Sequence, residues 1–178
     1  GKWSQTLCDL FSVPINSLPE IRSTSGHFGS TSADGPLGKK VPIRSAIGDQ
    51  QSSLFGQACF KPGDTKNTYG TGSFILTNLG EDPPPINDGL LTTVAWKLDP
   101  RSPLTYAVEG SIFSTGATVQ WLRDELGIIN KASELEQLAM DSQNSGGVVI
   151  VPAFSGLGSP WWDPDARGII VGLTRGVG

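Results

Sequence analysis

The chain has 178 residues, 37% of them hydrophobic, which is the size of one domain or of two partial ones and enough for an ordinary core. Thirteen basic against seventeen acidic side chains leave a net charge of −4, with no block of like charges, so no basic nucleic-acid surface and no charged tail is expected. No run of eighteen apolar residues or signal-peptide pattern occurs, and Cys8 and Cys59 stand far apart, which speaks for reduced thiols in a cytoplasmic protein rather than a disulfide framework or zinc site.

Taken in chain order, residues 1–22 read as helix, turn, helix. Trp3, Leu7, Leu10 and Phe11 recur at helical spacing until Pro14 intervenes. Residues 23–40 are rich in Ser, Thr and Gly and hold the only histidine, His27, which has no partner at metal-ligand spacing and reads as a surface residue. Val41-Pro42-Ile43 is a short apolar strand. A helical pattern opens at Asp49, with Leu54, Phe55, Ala58 and Cys59 on one face and Lys61-Pro62-Gly63-Asp64 as its stop.

The period then becomes strand-like. Thr65 to Leu79 is a β-branched and aromatic run broken by Gly70-Thr71-Gly72, followed by a turn through Pro83-Pro84-Pro85. Leu90 to Leu98 and Leu104 to Phe113 are two further strands, and short turns between the three predict an antiparallel meander. A helix follows over about 114–126, with Val119, Leu122 and Leu126 three or four apart and Gly127 as its stop. Ser133-Glu134-Leu135-Glu136 matches a capping box for a helix reaching about Gln143. Val148 to Pro152 reads as a buried strand, Phe154 to Gly168 as a Gly- and Trp-rich loop, and Ile169 to Leu173 as a last strand. The first residue is not Met and the last residues follow directly on an apolar run, so the chain reads as a fragment.

Four strings carry chemistry. Gly48-Asp49-Gln50-Gln51 puts a carboxylate at a helix entry, where it serves either as a plain cap or as a base for a substrate hydroxyl. Asn67 to Phe74 contains a Gly-Thr-Gly bend that reads as an ordinary hairpin or as a phosphate contact; the lysine and helix of a Walker loop are missing. Glu109-Gly110-Ser111, followed by Gly116-Ala117 and Gln120-Trp121, fits either close helix-to-strand packing or close approach of a ligand to a helix start. Pro152 to Pro164 is a loop dense in Gly, Pro and Trp that suits a subunit contact, a cleft wall or a packed surface loop.

Together and in this order these strings resemble the glycerol kinases of the FGGY family of carbohydrate kinases. The resemblance extends through Leu54-Phe55-Gly56-Gln57, Lys66 to Gly72, Gly89 to Thr93, Gln120 to Glu125, Val151 to Phe154 and Ala166-Arg167-Gly168, and covers nearly the whole chain. It implies an α/β fold of the actin and hexokinase (ribonuclease H-like) class, in which two domains face each other across a cleft, each on a mixed five-stranded sheet. Residues 1–48 would then be the end of the first, polyol-side domain and 49–178 the hinge and truncated start of the second, nucleotide-side domain.

The resemblance also implies roles. Asp49 matches the catalytic base, Gln50 a glycerol contact, and Phe74 an aromatic on the glycerol carbon chain. Thr71 matches a residue near the ATP phosphates, and Gly116 and Gln120 match nucleotide contacts. No metal ligand is assigned in the chain. The implied substrates are glycerol and ATP, with Mg²⁺ on the phosphates, and the implied full-length form is a homo-oligomer, a dimer or tetramer. The family's N-terminal phosphate loop, its Arg-Glu pair for glycerol and its Asp-Gly-Gly adenosine motif are absent from these residues, so the expectation is a segment inactive alone. Lys40 stands where some bacterial members carry an arginine that binds a regulatory sugar bisphosphate, while Gly38 is kept.

Overall fold

A computed structural model describes residues 1–85 and 89–177; the rest of the connection after Pro85 and the final Gly178 lie outside them. The N-terminal part holds one short helix, α1 (Gln5–Leu10), capped by Ser4, whose Oγ accepts from the Leu7 amide. The expected second helix is a single 3₁₀ turn over Ile15–Ser17, because Pro14 and Pro19 leave too little room for an α-helical turn between them. Leu7, Leu10 and Phe11 remain largely exposed. Two strands, β1 (Ser25–Ser30) and β2 (Pro42–Ser45), pair antiparallel.

Helix α2 (Asp49–Gly56) follows, with Gly48 as its extended cap residue. It ends at Gly56, earlier than the expected stop at Lys61. Ala58 turns into the left-handed region with φ 59°, and the Cys59 amide donates back to the Leu54 carbonyl at 3.2 Å, closing the turn.

The central element is a four-stranded antiparallel sheet of β3 (Thr65–Tyr69), β4 (Ser73–Gly80), β5 (Leu91–Trp96) and β6 (Thr105–Ile112). The run broken at Gly70–Gly72 is thus two strands of one hairpin. The strand order is β3-β4-β6-β5, so the sheet is not the meander that short connections suggest. β6 inserts between β4 and β5, which the longer proline-containing connection after Gly80 permits. Within these residues the sheet has four antiparallel strands rather than the mixed five the resemblance implies.

Register places Lys66 opposite Leu76, Leu76 opposite Glu109, and Thr68 opposite Phe74. Side chains alternate along each strand, so these residues share one face of the sheet. Helix α2 packs on that face. The core there comprises Leu54, Cys59, Leu76, Ala95, Trp96 and Ala107, with Phe74 packed against it. Asn78 is fully buried beside it and satisfied at both ends of its amide: Nδ2 donates to the Cys59 carbonyl at 2.9 Å and Oδ1 accepts from the Gly80 amide at 2.8 Å.

Helix α3 (Gly116–Asp124) is followed by Gly127 in the left-handed region at φ 62°, as its place after the apolar pattern predicts. Helix α4 (Glu134–Asp141) starts at Ser133 as expected, but the capping box does not form. Ser133 has helical rather than extended backbone angles and makes no side-chain cap, and Glu134 accepts from the Asn130 amide instead. The last pair, β7 (Val149–Val151) and β8 (Ile169–Val171), is antiparallel. Its strands are largely exposed rather than buried, since among the described residues no layer covers either strand fully.

Candidate active site

Asp49 is the first residue of α2, exposed, with its backbone in the first helical turn. A carboxylate there is favoured by the free amides and the positive end of the helix dipole. Three side chains of α2 tie it to the sheet. Gln50 Oε1 accepts from Lys66 Nζ, Gln51 Nε2 donates to Thr93 Oγ1 at 3.3 Å, and Ser53 Oγ meets Thr68 Oγ1 at 3.5 Å.

The segment leading into α2 is also anchored. The Thr24 amide donates to the Lys97 carbonyl at 2.7 Å, Thr24 Oγ1 accepts from the Lys97 amide at 3.0 Å, and the Thr24 carbonyl accepts from the Ala46 amide at 3.1 Å. Asp49 therefore projects from a helix start fixed on both sides.

Lys66, in the string that precedes the Gly-Thr-Gly bend, has no role that its sequence context implies. It is only 4% exposed, yet it sits on a strand at the sheet face that meets α2. Its ammonium has three donors and finds three acceptors: Gln50 Oε1, Thr68 Oγ1 at 2.7 Å and the Phe74 carbonyl at 3.1 Å. Burial pushes its pKa below the ordinary lysine value, while the nearby charges of Glu109, Asp49 and Cys59 push back the other way. Alternation along β3 puts Lys66 and Thr68 on one face of the strand, and only the pairing register shows that this is the face beneath α2.

The Gly70-Thr71-Gly72 bend joins β3 to β4, and Thr71 is exposed at its tip. Two of its carbonyls are committed to the start of α3. The Gly116 amide donates to the Gly70 carbonyl at 2.9 Å; the Thr115 and Ala117 amides donate to the Thr71 carbonyl at 2.9 and 3.1 Å. Ser73 Oγ donates to Thr115 Oγ1 at 2.8 Å. Two glycines are required by close approach: a Cβ on Gly72 would lie 2.4 Å from the Ile112 carbonyl, and one on Gly116 would lie 2.5 Å from the Gly70 carbonyl. Of the two readings of the small residues at the α3 start, close packing is the one these contacts display.

The structure thus forms two clusters joined by β4. Asp49 and Gln50 belong with Lys66, and half-buried Phe74 lies against the core under the same helix. Thr71 and Gly116 belong together at the hairpin, and Ser73, next to Phe74 in the strand, bonds to that second cluster. Gln120 is exposed on α3, beside Trp121, whose ring lies 5.0 Å from that of Phe154. The Gly- and Trp-rich loop folds back on β6: the Ser111 amide donates to Ser159 Oγ at 3.0 Å, the Ser159 amide to the Ser111 carbonyl at 2.9 Å, and Trp162 Nε1 to the Gly89 carbonyl at 2.9 Å. His27 is exposed, and both cysteines are free and buried.

Comparison with known proteins fits this geometry. The profile for the FGGY family of carbohydrate kinases, C-terminal domain, matches residues 65–177. A glycerol kinase of Caldanaerobacter subterraneus subsp. tengcongensis is 53% identical over 176 residues, covering 99% of this chain and 35% of the relative. The crystal structure of Plasmodium falciparum glycerol kinase with ADP superposes with a TM-score of 0.87 at 40% identity, covering 99% of this chain and 35% of that one. A kinase from Brucella ovis, described as a xyloylose kinase, superposes at 0.79 with 21% identity over 99% of this chain and 36% of its own, a likeness of fold. The chain spans about a third (35%) of the length of the curated relatives it matches. The fold is α/β, of the actin and hexokinase-like class. On the family match and on these similarities, the chain belongs to the FGGY family of carbohydrate kinases.

Proposed function

We propose that the full-length protein carrying this chain transfers the γ-phosphoryl group of ATP to glycerol, giving sn-glycerol 3-phosphate, in the cytoplasm. The observation that carries this reading is the 53% identity, over 99% of the chain, to a glycerol kinase. Pentulose and gluconate kinases share the fold at 21–23% identity, which supports no substrate assignment.

The site chemistry agrees. Asp49 is exposed at a fixed helix start, as a general base must be to meet a hydroxyl proton. It would take the proton from the attacking glycerol oxygen as that oxygen bonds to the γ-phosphorus and the bond to the ADP oxygen breaks. Gln50 would hold a neighbouring hydroxyl and Phe74 would face the carbon chain. Thr71, Gly116 and Gln120 would lie on the nucleotide side. Mg²⁺ would arrive on the phosphates of the ATP substrate and offset their charge.

The match to the C-terminal domain begins at residue 65, which supports assigning residues 1–48 to the end of the polyol-side domain and 49–178 to the hinge and nucleotide-side domain. Closure of the two domains would bring base and phosphate together and exclude water as a competing acceptor. The segment alone would be inactive, and the complete protein would assemble as a dimer or tetramer. A panel of glycerol, xylulose and gluconate with the full-length protein tests the substrate: ATP-dependent phosphorylation of glycerol in clear preference to the others is the expected result, and preference for a sugar or sugar acid would overturn it.

A further inference from the structure

We propose that Lys66 is a positioning residue for the polyol: by holding the oxygen of the Gln50 amide, it turns the Gln50 Nε2 donor outward beside Asp49. This deepens the kinase reading and rests on it.

The argument starts from the chemistry of the two groups. An ammonium donates hydrogen bonds and cannot accept one, so the end of the Gln50 amide that meets Lys66 Nζ must be the carbonyl oxygen. The amide is planar, so fixing its oxygen inward directs its NH₂ group away from Lys66. Gln50 follows Asp49 directly, at the exposed edge of α2, and is itself half-buried. The free end of its side chain is therefore a donor, suited to a hydroxyl oxygen of a polyol and unsuited to a group that only donates.

Lys66 is itself held firmly enough to impose this orientation. Its ammonium has its two other bonds to Thr68 Oγ1 and the Phe74 carbonyl, at 2.7 and 3.1 Å, and so spans three elements of structure: α2, β3 and β4. It makes no ion pair within the salt-bridge range among the described residues, and Glu109, two positions along the same sheet row, accepts instead from Ser111 Oγ at 3.1 Å. A lysine buried at 4% exposure with neutral acceptors is costly to a fold, and a plain packing role would be met by an apolar side chain. The Phe74 carbonyl contact links the same ammonium to the strand residue implied to face the glycerol carbons, so one cation registers both proposed polyol contacts.

The test is a double-mutant cycle in the full-length protein, measuring steady-state kinetics for the polyol that it phosphorylates best. Lys66→Met is expected to raise the polyol KM by about tenfold or more, the loss of one charge-assisted bond, while the KM for ATP changes much less. Gln50→Ala should raise the same KM, and adding Lys66→Met to Gln50→Ala should then raise it little further. Gln50→Glu, which leaves Lys66 intact and pairs it with a carboxylate, should raise the polyol KM as Gln50→Ala does, because the outward donor is gone. That variant decides the matter if Lys66→Met does not fold. Additive effects of the Lys66 and Gln50 substitutions, or an unchanged polyol KM in Gln50→Glu, would overturn the role of Lys66 while leaving the kinase reading in place. An unmutated full-length protein that phosphorylates no polyol would overturn both.

Discussion

The Gly116 amide donates to the Gly70 carbonyl at 2.9 Å, and this bond joins the tip of the β3–β4 hairpin to the first turn of α3. The hairpin and the helix start behave as one unit because three amides of residues 115–117 are committed to two hairpin carbonyls. The space between them is closed: a Cβ on Gly116 would fall 2.5 Å from the backbone oxygen of Gly70, which cannot swing aside as a side chain can.

Gly116→Ala should therefore push the hairpin from the helix. The expected cost is about 1–3 kcal/mol of stability, read as a lower denaturant midpoint of the full-length protein, with a rise in the KM for ATP and less change in that for the polyol. An unchanged midpoint and unchanged ATP kinetics would mean that the clamp has no bearing on the nucleotide side.

Asn78 is the polar counterpart in the core. Its side chain is wholly buried and joins the Cys59 carbonyl after α2 to the Gly80 amide at the end of β4. Asn78→Ala leaves both groups without their partner. We expect a loss of about 1–3 kcal/mol or more on equilibrium unfolding, with kinetics at saturating substrates nearly unchanged. A loss within experimental error would show that water or a backbone shift replaces the side chain.

Much of this architecture is legible in the residues themselves. The β-branched alternation from Thr65 onward marks the strands, and Gly127 marks the end of α3, because both signals are local. Strand order is not local. Nothing in β4 or β5 taken singly says that β6 lies between them, so the expected meander gave way to β3-β4-β6-β5. The end of α2 is not legible because Ala58 takes a left-handed conformation that glycine or asparagine would ordinarily signal. The role of Lys66 was hidden for a related reason: a lysine in a strand reads as solvated until the register shows it on the face beneath a helix.

Lys66 also gives a pH dependence with a definite sign. Burial lowers its pKa from the ordinary 10.5, so the unfolded chain binds more protons than the folded protein in the window below 10.5. Below the folded pKa, the charged lysine opposes folding to its full extent. As pH rises through that window the opposition is relieved. The stability of the unmutated protein relative to Lys66→Met should therefore increase with pH there, measured as the difference of their unfolding free energies. A difference that falls or stays flat would contradict the burial of a charged Lys66.

The most direct test of the account is the turnover of the full-length protein bearing Asp49→Asn, with glycerol and ATP as substrates. Asp49 is exposed and makes no side-chain hydrogen bond to the rest of the described structure, so the substitution should leave the thermal midpoint almost unchanged. If Asp49 takes the proton from the attacking hydroxyl, kcat should fall by at least about a hundredfold. A variant that folds normally and retains most of its kcat would contradict the assignment of Asp49 as the base.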